Sequence, residues 1–489
     1  MADAPLNLEQ STGKMPMERI SIPNDRHYKV RVDHHMALSA DPRKSGVINA
    51  VIGYFSLVVA APLLILTLTF WALPAGLGLA NVLPNTFWYN LIFGLLGPVL
   101  AFLFIAVVAL INILMLRKYL AKVQNRFGPL HHGPSGSLQT VFDALKLVAK
   151  EDHSPGMVEE TIFTIAPVLV FVSAFLLMAV IPFAPGWVFA NVDAGAIFII
   201  AAGTLGSYGV LLAGWSMNNK YGLLGGLRAA AQLVSYEVPL SIALLAVCVY
   251  TGSMNLTEIA DYQLIHGWNV FPLFIPFVIY LIAGLAEIKM TPFDLPEAES
   301  ELVAGFNTEY GGMRFGFFFV AEFAELYLLP AVLAVFFLGG WHTLPLPDGF
   351  ANNILGYKEL FVWGNPADPA GNLLRNVIYA AISLLKAAAG VYFYMWIRAT
   401  LPRFRDDQLM ELCWKGLIPL SLVGLLLAAV SRLNPVIGAV ISIITILGIL
   451  AFVVPPIFRK VSVRQNTGPK GVPIRRRPNM APNYRNIQK

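Results

Sequence analysis

The sequence has little charge and almost no cysteine. Charged residues occupy 13% of 489 positions, against ~25% in an ordinary soluble domain. That scarcity overrides the three soluble domains that length alone would suggest. The two cysteines, Cys248 and Cys413, sit in or beside apolar runs, 165 residues apart. An iron–sulfur cluster takes about four thiolates, so none is expected here, and a disulfide framework is excluded on the same count. Both read as packed membrane-helix cysteines. The histidines are scattered apart from His34-His35 and His131-His132. Adjacent residues point apart on a helix, so neither pair reads as a metal site. If the chain does redox work, its electrons come from a partner.

What is abundant is apolar sequence. Hydrophobic residues make up 57% of the chain and the mean hydropathy is +0.65. Runs long enough to cross a ~30 Å hydrocarbon core recur along it. Ten spans are expected, at about 47–73, 91–116, 161–183, 196–217, 233–252, 272–289, 316–340, 376–398, 412–431 and 434–458. In lipid they must satisfy their own backbone, so they read as helices. The fold class is an all-α polytopic membrane protein. The segment 137–150 is too short to span. Its Leu138, Val141, Phe142, Leu145 and Val148 recur at helical spacing, which predicts an amphipathic helix at the interface or against the bundle.

Lysine and arginine set the orientation. With the N-terminus on one side, 29 of them fall on that side and three, Lys358, Arg375 and Arg432, on the other; Lys386 and Lys415 lie within spans. Both termini are therefore expected in the cytoplasm, with no cleavable leader in the polar residues 1–46. The tail 459–489 carries nine basic and no acidic residues. It reads as a disordered segment near anionic lipid or a dock for an acidic protein, and nucleic acid fits poorly with a tail tethered under a bundle.

Against this background the stretch EIKMTPFDLPEAESELVAGFNTEYGG, residues 287–312, is out of place. It sets Glu287, Asp294, Glu297, Glu299, Glu301 and Glu309 between two apolar runs. Pro296 suits a helix start with Asp294 near its cap, which accounts for two or three of the acids. On such a helix Asp294, Glu297 and Glu301 would share a face and titrate as a coupled set able to hold and pass protons. Glu237, Glu322 and Glu325 fall inside or just within spans, where an ionisable group is a functional candidate by default. On the same side Arg117, Lys118, Lys122 and Arg126 follow the second span and complete a cavity rim with both signs of charge.

These residues carry a resemblance. PFDLPEAESELVAGFNTEYGGMRFGFFFVAEF (292–323), WSMNNKYGLLGGLRAAAQLVSYEVPL (215–240), QNRFGP…GPSGSLQTVFDALKLVAKED (124–152) and RATLPRFRDDQLMELCWKGLIPL (398–420) resemble the quinone-site membrane subunit of proton-pumping NADH:quinone oxidoreductase, respiratory complex I. The likeness covers roughly 91–431. It implies an eight-helix core there, supplied by the second to ninth spans, with an extra membrane helix in 47–90 and another in 432–458. It also implies a quinone tunnel entered from the bilayer and quinone as the substrate. Iron–sulfur clusters and flavin would sit on partner subunits, in a hydrophilic arm at the cytoplasmic face beside further membrane-arm subunits. The location implied is the bacterial inner membrane. By motif position, Glu237, Glu287, Asp294, Glu297, Glu299, Glu301, Glu309 and Glu322 would be the proton-linked carboxylates. Arg117, Gln124, Arg126, Asp143, Arg228 and Phe293 would line or brace the tunnel.

Two positions depart from the family pattern. Leu116 stands where the family has a glutamate, and Met290 where it commonly has an arginine, with Lys289 beside it as a candidate substitute. A related membrane subunit of an energy-converting hydrogenase or formate hydrogenlyase is the neighbouring alternative, disfavoured by the near-complete quinone-site string. A secondary transporter is a further alternative, but no internal repeat supports it.

Overall fold

The computed structural model describes residues 59–67, 86–133, 136–296, 303–342 and 369–433. Among these residues the structure is helical and contains no strand. The elements are α1 (59–67), α2 (Thr86–Val123), α3 (Gln139–Ala149), α4 (Glu160–Val180), α5 (Gly195–Ser216) and α6 (Lys220–Thr251). They continue with α7 (Leu256–His266), α8 (Phe274–Glu287), α9 (Gly312–Phe337), α10 (Pro369–Thr400) and α11 (Asp406–Leu433).

Seven of these helices are long and apolar enough to cross a membrane, and α8 is a shorter apolar helix. Together they are the eight helices expected in the core. Helix α1 lies inside the expected first span. The last span and both tails fall outside the described residues. The amphipathic segment forms α3, and its apolar Val141, Phe142, Leu145 and Val148, with Leu138 at the N-cap, are exposed rather than packed against the bundle.

The boundaries need correction at four places, the first being α2, which runs Thr86–Val123 rather than 91–116 and so includes Arg117, Lys118 and Lys122. Residues 218–232 were expected to be a polar connection, but α6 runs unbroken from Lys220, capped by the Asn219 side chain accepting from Tyr221 N at 3.1 Å. Its 32 residues reach about 48 Å, well beyond a membrane core. Helix α10 starts at Pro369 rather than 376, and α11 at Asp406 rather than 412, with a π-helical turn at Leu412–Leu417. Polar first turns hid the last three starts. Helix α7 was not anticipated; Asn255 caps it by accepting from Thr257 N at 3.0 Å.

Helix α9 is the axis of the bundle. Buried residues fill 83% of its most apolar stretch, against 39% in α10 and 28% in α11. It packs on α2, α4 and α10, while α6 packs on α5, α8 and α11. One end of the bundle gathers the connections α2–α4, α5–α6, α8–α9 and α10–α11. Glu159 N donates to Ser216 O at 3.2 Å there, and Phe404 N to Pro292 O at 3.1 Å. The other end gathers α4–α5, α6–α8 and the exit of α9, joined by Ala196 N to Met254 O at 3.0 Å and Val270 N to Phe337 O at 3.1 Å.

Small residues let the backbones meet, as membrane helices without a hydrophobic drive require. A Cβ on Gly214 would lie 2.6 Å from Gly226 Cα, and one on Gly225 would lie 2.6 Å from Gly305 Cα. The glycines in α6 each cost about 1 kcal/mol of helix propensity, which these contacts offset. The two cysteines are buried, and Cys413 Sγ donates to Ser235 O at 3.0 Å, tying α11 to α6. Gly214→Leu forces α5 and α6 apart and is expected to cost about 1–3 kcal/mol. Thermal unfolding in mild detergent reads this as a lowered midpoint, and an unchanged midpoint would refute the packing.

Candidate functional site

The connection between α8 and α9 is held against the bundle by aromatic and polar contacts. Phe293 is 3% exposed, packed between Tyr236 and Phe404 at ring centroids of 5.5 and 5.6 Å. Gln232 Nε2, reaching from α6, donates to Ala286 O and Phe293 O, each at 2.8 Å. Farther along, Tyr310 stacks on Phe163 at 4.1 Å, and Arg314 lies over the same Phe163 ring while pairing with Asp152 at 3.1 Å. The loop is thus clamped to α4 and α6 at both of its described ends.

The acids separate into two groups on this scaffold. Asp294 is half-buried in a non-helical stretch of the loop, so the helical face it was expected to share is absent at that residue. Glu297, Glu299 and Glu301 lie outside the described residues. Glu309 is half-buried and accepts from Asn219 Nδ2 at 2.7 Å, at the α5–α6 corner. Asp294 and Glu309 form the group at the bundle end.

The second group lies inside the bundle. Glu287 closes α8 with its Oε2 enclosed and without a hydrogen-bond partner among the described residues. It is in electrostatic contact with Glu325 on α9, Glu237 on α6 and Lys289. Glu237 bonds Thr204 Oγ1 of α5, and two residues on, Glu325 Oε1 approaches within 3.8 Å of where a Cβ on Gly206 would be. Lys289 is 6% exposed, with its ammonium over the Phe306 ring at 5.7 Å. Glu322 is half-buried on α9, whereas Glu325 is 8% exposed. The sequence placed both in a span; only the packing distinguishes Glu325 as the enclosed one. An unpaired charge in such a place is costly, and Lys289 is the cation in electrostatic contact with Glu287 and Glu325.

The residues expected to line or brace a tunnel form a rim along the same end. Arg117 on α2 pairs with Asp143 on α3, and Gln139 Nε2 also donates to Asp143, at 3.0 Å. Arg126 Nε donates to Gln124 Oε1 at 2.7 Å, both exposed. Arg228 pairs with Asp406 at 3.2 Å, joining α6 to α11. Phe293 braces rather than opens the space, being packed on two sides. At the two departures, Leu116 is 5% and Met290 1% exposed, both in the core. Lys289, adjacent to Met290 in sequence, is also buried.

A sequence model of the family described as NADH dehydrogenase matches residues 96–429. The H-type subunit of NADH-quinone oxidoreductase from Geobacillus kaustophilus (strain HTA426) is 44% identical over 348 residues, 71% of this chain and 96% of its own length. Its counterpart in Brevibacillus brevis is 41% identical over 314 residues, covering 64% and 85% respectively. That of Bacteroides thetaiotaomicron is 41% identical over 331 residues, covering 66% and 86%.

Tyr310, outside the spans, supplies a test of the loop clamp. Burial pushes its phenol up to about 12 from an ordinary 10.0, opposed by Ser216 and Arg314. The folded protein therefore keeps this proton where the unfolded chain releases it. The resulting stability is complete below pH 10 and is lost as pH rises through about 12. In phenolate difference absorbance, Tyr310→Phe should remove a component that titrates near 12, leaving the region around pH 10 unchanged. Loss of a component near pH 10 instead would show that the ring is solvated.

Proposed function

The chain belongs to the NADH dehydrogenase family, and on that premise we propose that it forms the quinone-access tunnel of complex I and couples quinone reduction to proton translocation. It is a multi-pass membrane subunit of an oxidoreductase complex. In the proposed arrangement it lies in the bacterial inner membrane with both termini cytoplasmic. Hydrophilic-arm subunits carrying iron–sulfur clusters meet the end that holds the acidic loop, and further membrane-arm subunits flank the bundle.

The observation that carries this reading is the enclosed Glu287 carboxylate, facing the charges of Glu237, Glu325 and Lys289 across four packed segments. Reducing a quinone to a quinol takes up two electrons and two protons. The reduced headgroup carries negative charge until those protons arrive, and that charge pulls on protonatable groups nearby. Carboxylates that interact strongly titrate together, so removing a proton from one changes the occupancy of the rest. Thr204 Oγ1 has one proton and two neighbours, the Ile200 carbonyl at 3.0 Å and Glu237 Oε1. A proton carried on Glu237 completes the second bond.

In this scheme Asp294, Glu297, Glu299, Glu301 and Glu309 deliver protons at the loop, and Glu237, Glu287, Glu322 and Glu325 relay them inside the bundle. Arg117, Gln124, Arg126, Asp143, Arg228 and Phe293 orient the headgroup or hold the tunnel wall. Lys289 supplies the positive charge that the site would otherwise draw from an arginine at position 290.

Glu287→Gln keeps the shape of the side chain and removes its proton exchange. The complete complex should still assemble, while coupled quinone reduction in vesicles falls by about 10²-fold, the scale of a lost acid–base group. The double variant Glu297→Gln with Glu301→Gln tests the loop in the same assay. Full coupled turnover in both variants would remove these carboxylates from the mechanism.

A further inference from the structure

Lys386 has no part in the site above, yet it lies inside the span formed by α10. An ionisable residue there requires an account. Its Nζ donates to Leu338 O at 2.5 Å, to Gly340 O at 2.8 Å and to His342 O. These carbonyls follow the last turn of α9, where helix termination leaves acceptors unpaired. The ammonium also lies over the Trp268 ring at 5.0 Å. All three of its protons are thereby used by protein acceptors. His342, whose side chain is 8% exposed, bonds Asp261 on α7 at 3.1 Å, and Asp261 is 64% exposed. The lysine therefore sits just inside the bundle end opposite the acidic loop.

Its position along α10 is what gives it meaning. Lys386, Gly390 and Tyr394 recur every four residues and share one face. A Cβ on Gly390 would lie 2.7 Å from Pro330 Cβ, and one on Gly284 would lie 2.9 Å from the Tyr394 hydroxyl. That face of α10 is thus pressed onto α9 and α8. Tyr394 is fully buried, and its hydroxyl has no hydrogen-bond partner among the described residues. It is in electrostatic contact with Tyr280, which in turn is in contact with Glu287 and donates to Leu329 O at 3.1 Å. Polar groups therefore extend from the carboxylate cluster through Tyr280 and Tyr394 toward the opposite end, and the next charge on that face is Lys386. Orphaned buried polar atoms such as Tyr394 Oη and Glu287 Oε2 are places where ordered water settles. A hydrated file of this kind would let protons return from the far side unless something stopped them.

We propose that Lys386 is a fixed positive charge that seals the far end of this file against protons, so that the carboxylate cluster exchanges them only with the acidic-loop end. The inference rests on the proton-relay reading of Glu287. Fixed cations and helix-end dipoles exclude protons from other membrane pores by the same repulsion. Eight residues separate Lys386 from Tyr394, about 12 Å along the helix. At an effective dielectric of about 20, a unit charge at that distance changes proton occupancy by roughly tenfold.

The test is passive proton entry into vesicles holding the complete complex, under an imposed pH gradient and without electron donor or quinone. Lys386→Gln keeps two donors for the α9 carbonyls and loses the charge. It is expected to raise the leak roughly tenfold, with quinone reduction in detergent retained. Lys386→Arg should stay tight. Adding Glu287→Gln to the leaking variant should close the leak, because the cluster is its route. A leak that persists in the double variant marks a packing defect and overturns the proposal, as does a tight Lys386→Gln complex. Lys386→Met serves if the glutamine variant does not assemble. If neither assembles while Lys386→Arg does, the charge serves folding and the seal is refuted. Failure of the relay reading shows separately, as unchanged coupled turnover in Glu287→Gln alone.

Discussion

A charge inside a bundle of apolar helices persists only where the protein supplies what water would have supplied. That constraint organises this molecule. Glu237 is met by a threonine hydroxyl, and Glu287 and Glu325 share the field of a buried lysine. Lys386 is met by three backbone carbonyls and an indole face. These groups and their partners are carried by α5, α6, α8, α9 and α10 and by the segments that flank them. Moving any of them leaves a charged group without its complement, so the geometry of the polar interior and the packing of the apolar exterior are one problem.

The two kinds of charge are treated differently. Lys386 has every proton engaged and sits at the ragged end of a helix, where acceptors are left over. The carboxylates have spare lone pairs, as the unpartnered Glu287 Oε2 shows. One arrangement fixes a charge; the other leaves room for it to change.

Most of the framework was legible in the sequence because spanning helices announce themselves. A long run of apolar residues has no other stable form in lipid, and all eight core helices lie where such runs predicted them. The amphipathic α3 was legible from the spacing of Leu138, Val141, Phe142, Leu145 and Val148 alone. Residues 220–232 were not, because they read as a polar connection, and the packing of Gly226 on Gly214 and of Gly225 on Gly305 is supplied by other segments. Asp294 shows the same limit from the other direction: proline and acids in a row signal a helix start, and the residue lies in non-helical backbone instead. The intramembrane acids were visible as types, but the distinction between Glu322 and the enclosed Glu325 depends on which neighbours α9 turns toward. That information lies in the other helices.

The contact between Gly225 and Gly305 has a mechanical consequence. With no side chain between the two backbones there is nothing compressible to absorb a displacement of the short turn Gly305–Asn307. A shift of that turn is therefore handed to α6 as a rigid rod, and Glu237 rides on the same rod twelve residues away, about 18 Å along its axis. The acidic connection and the half-buried Glu237 are linked by main chain alone.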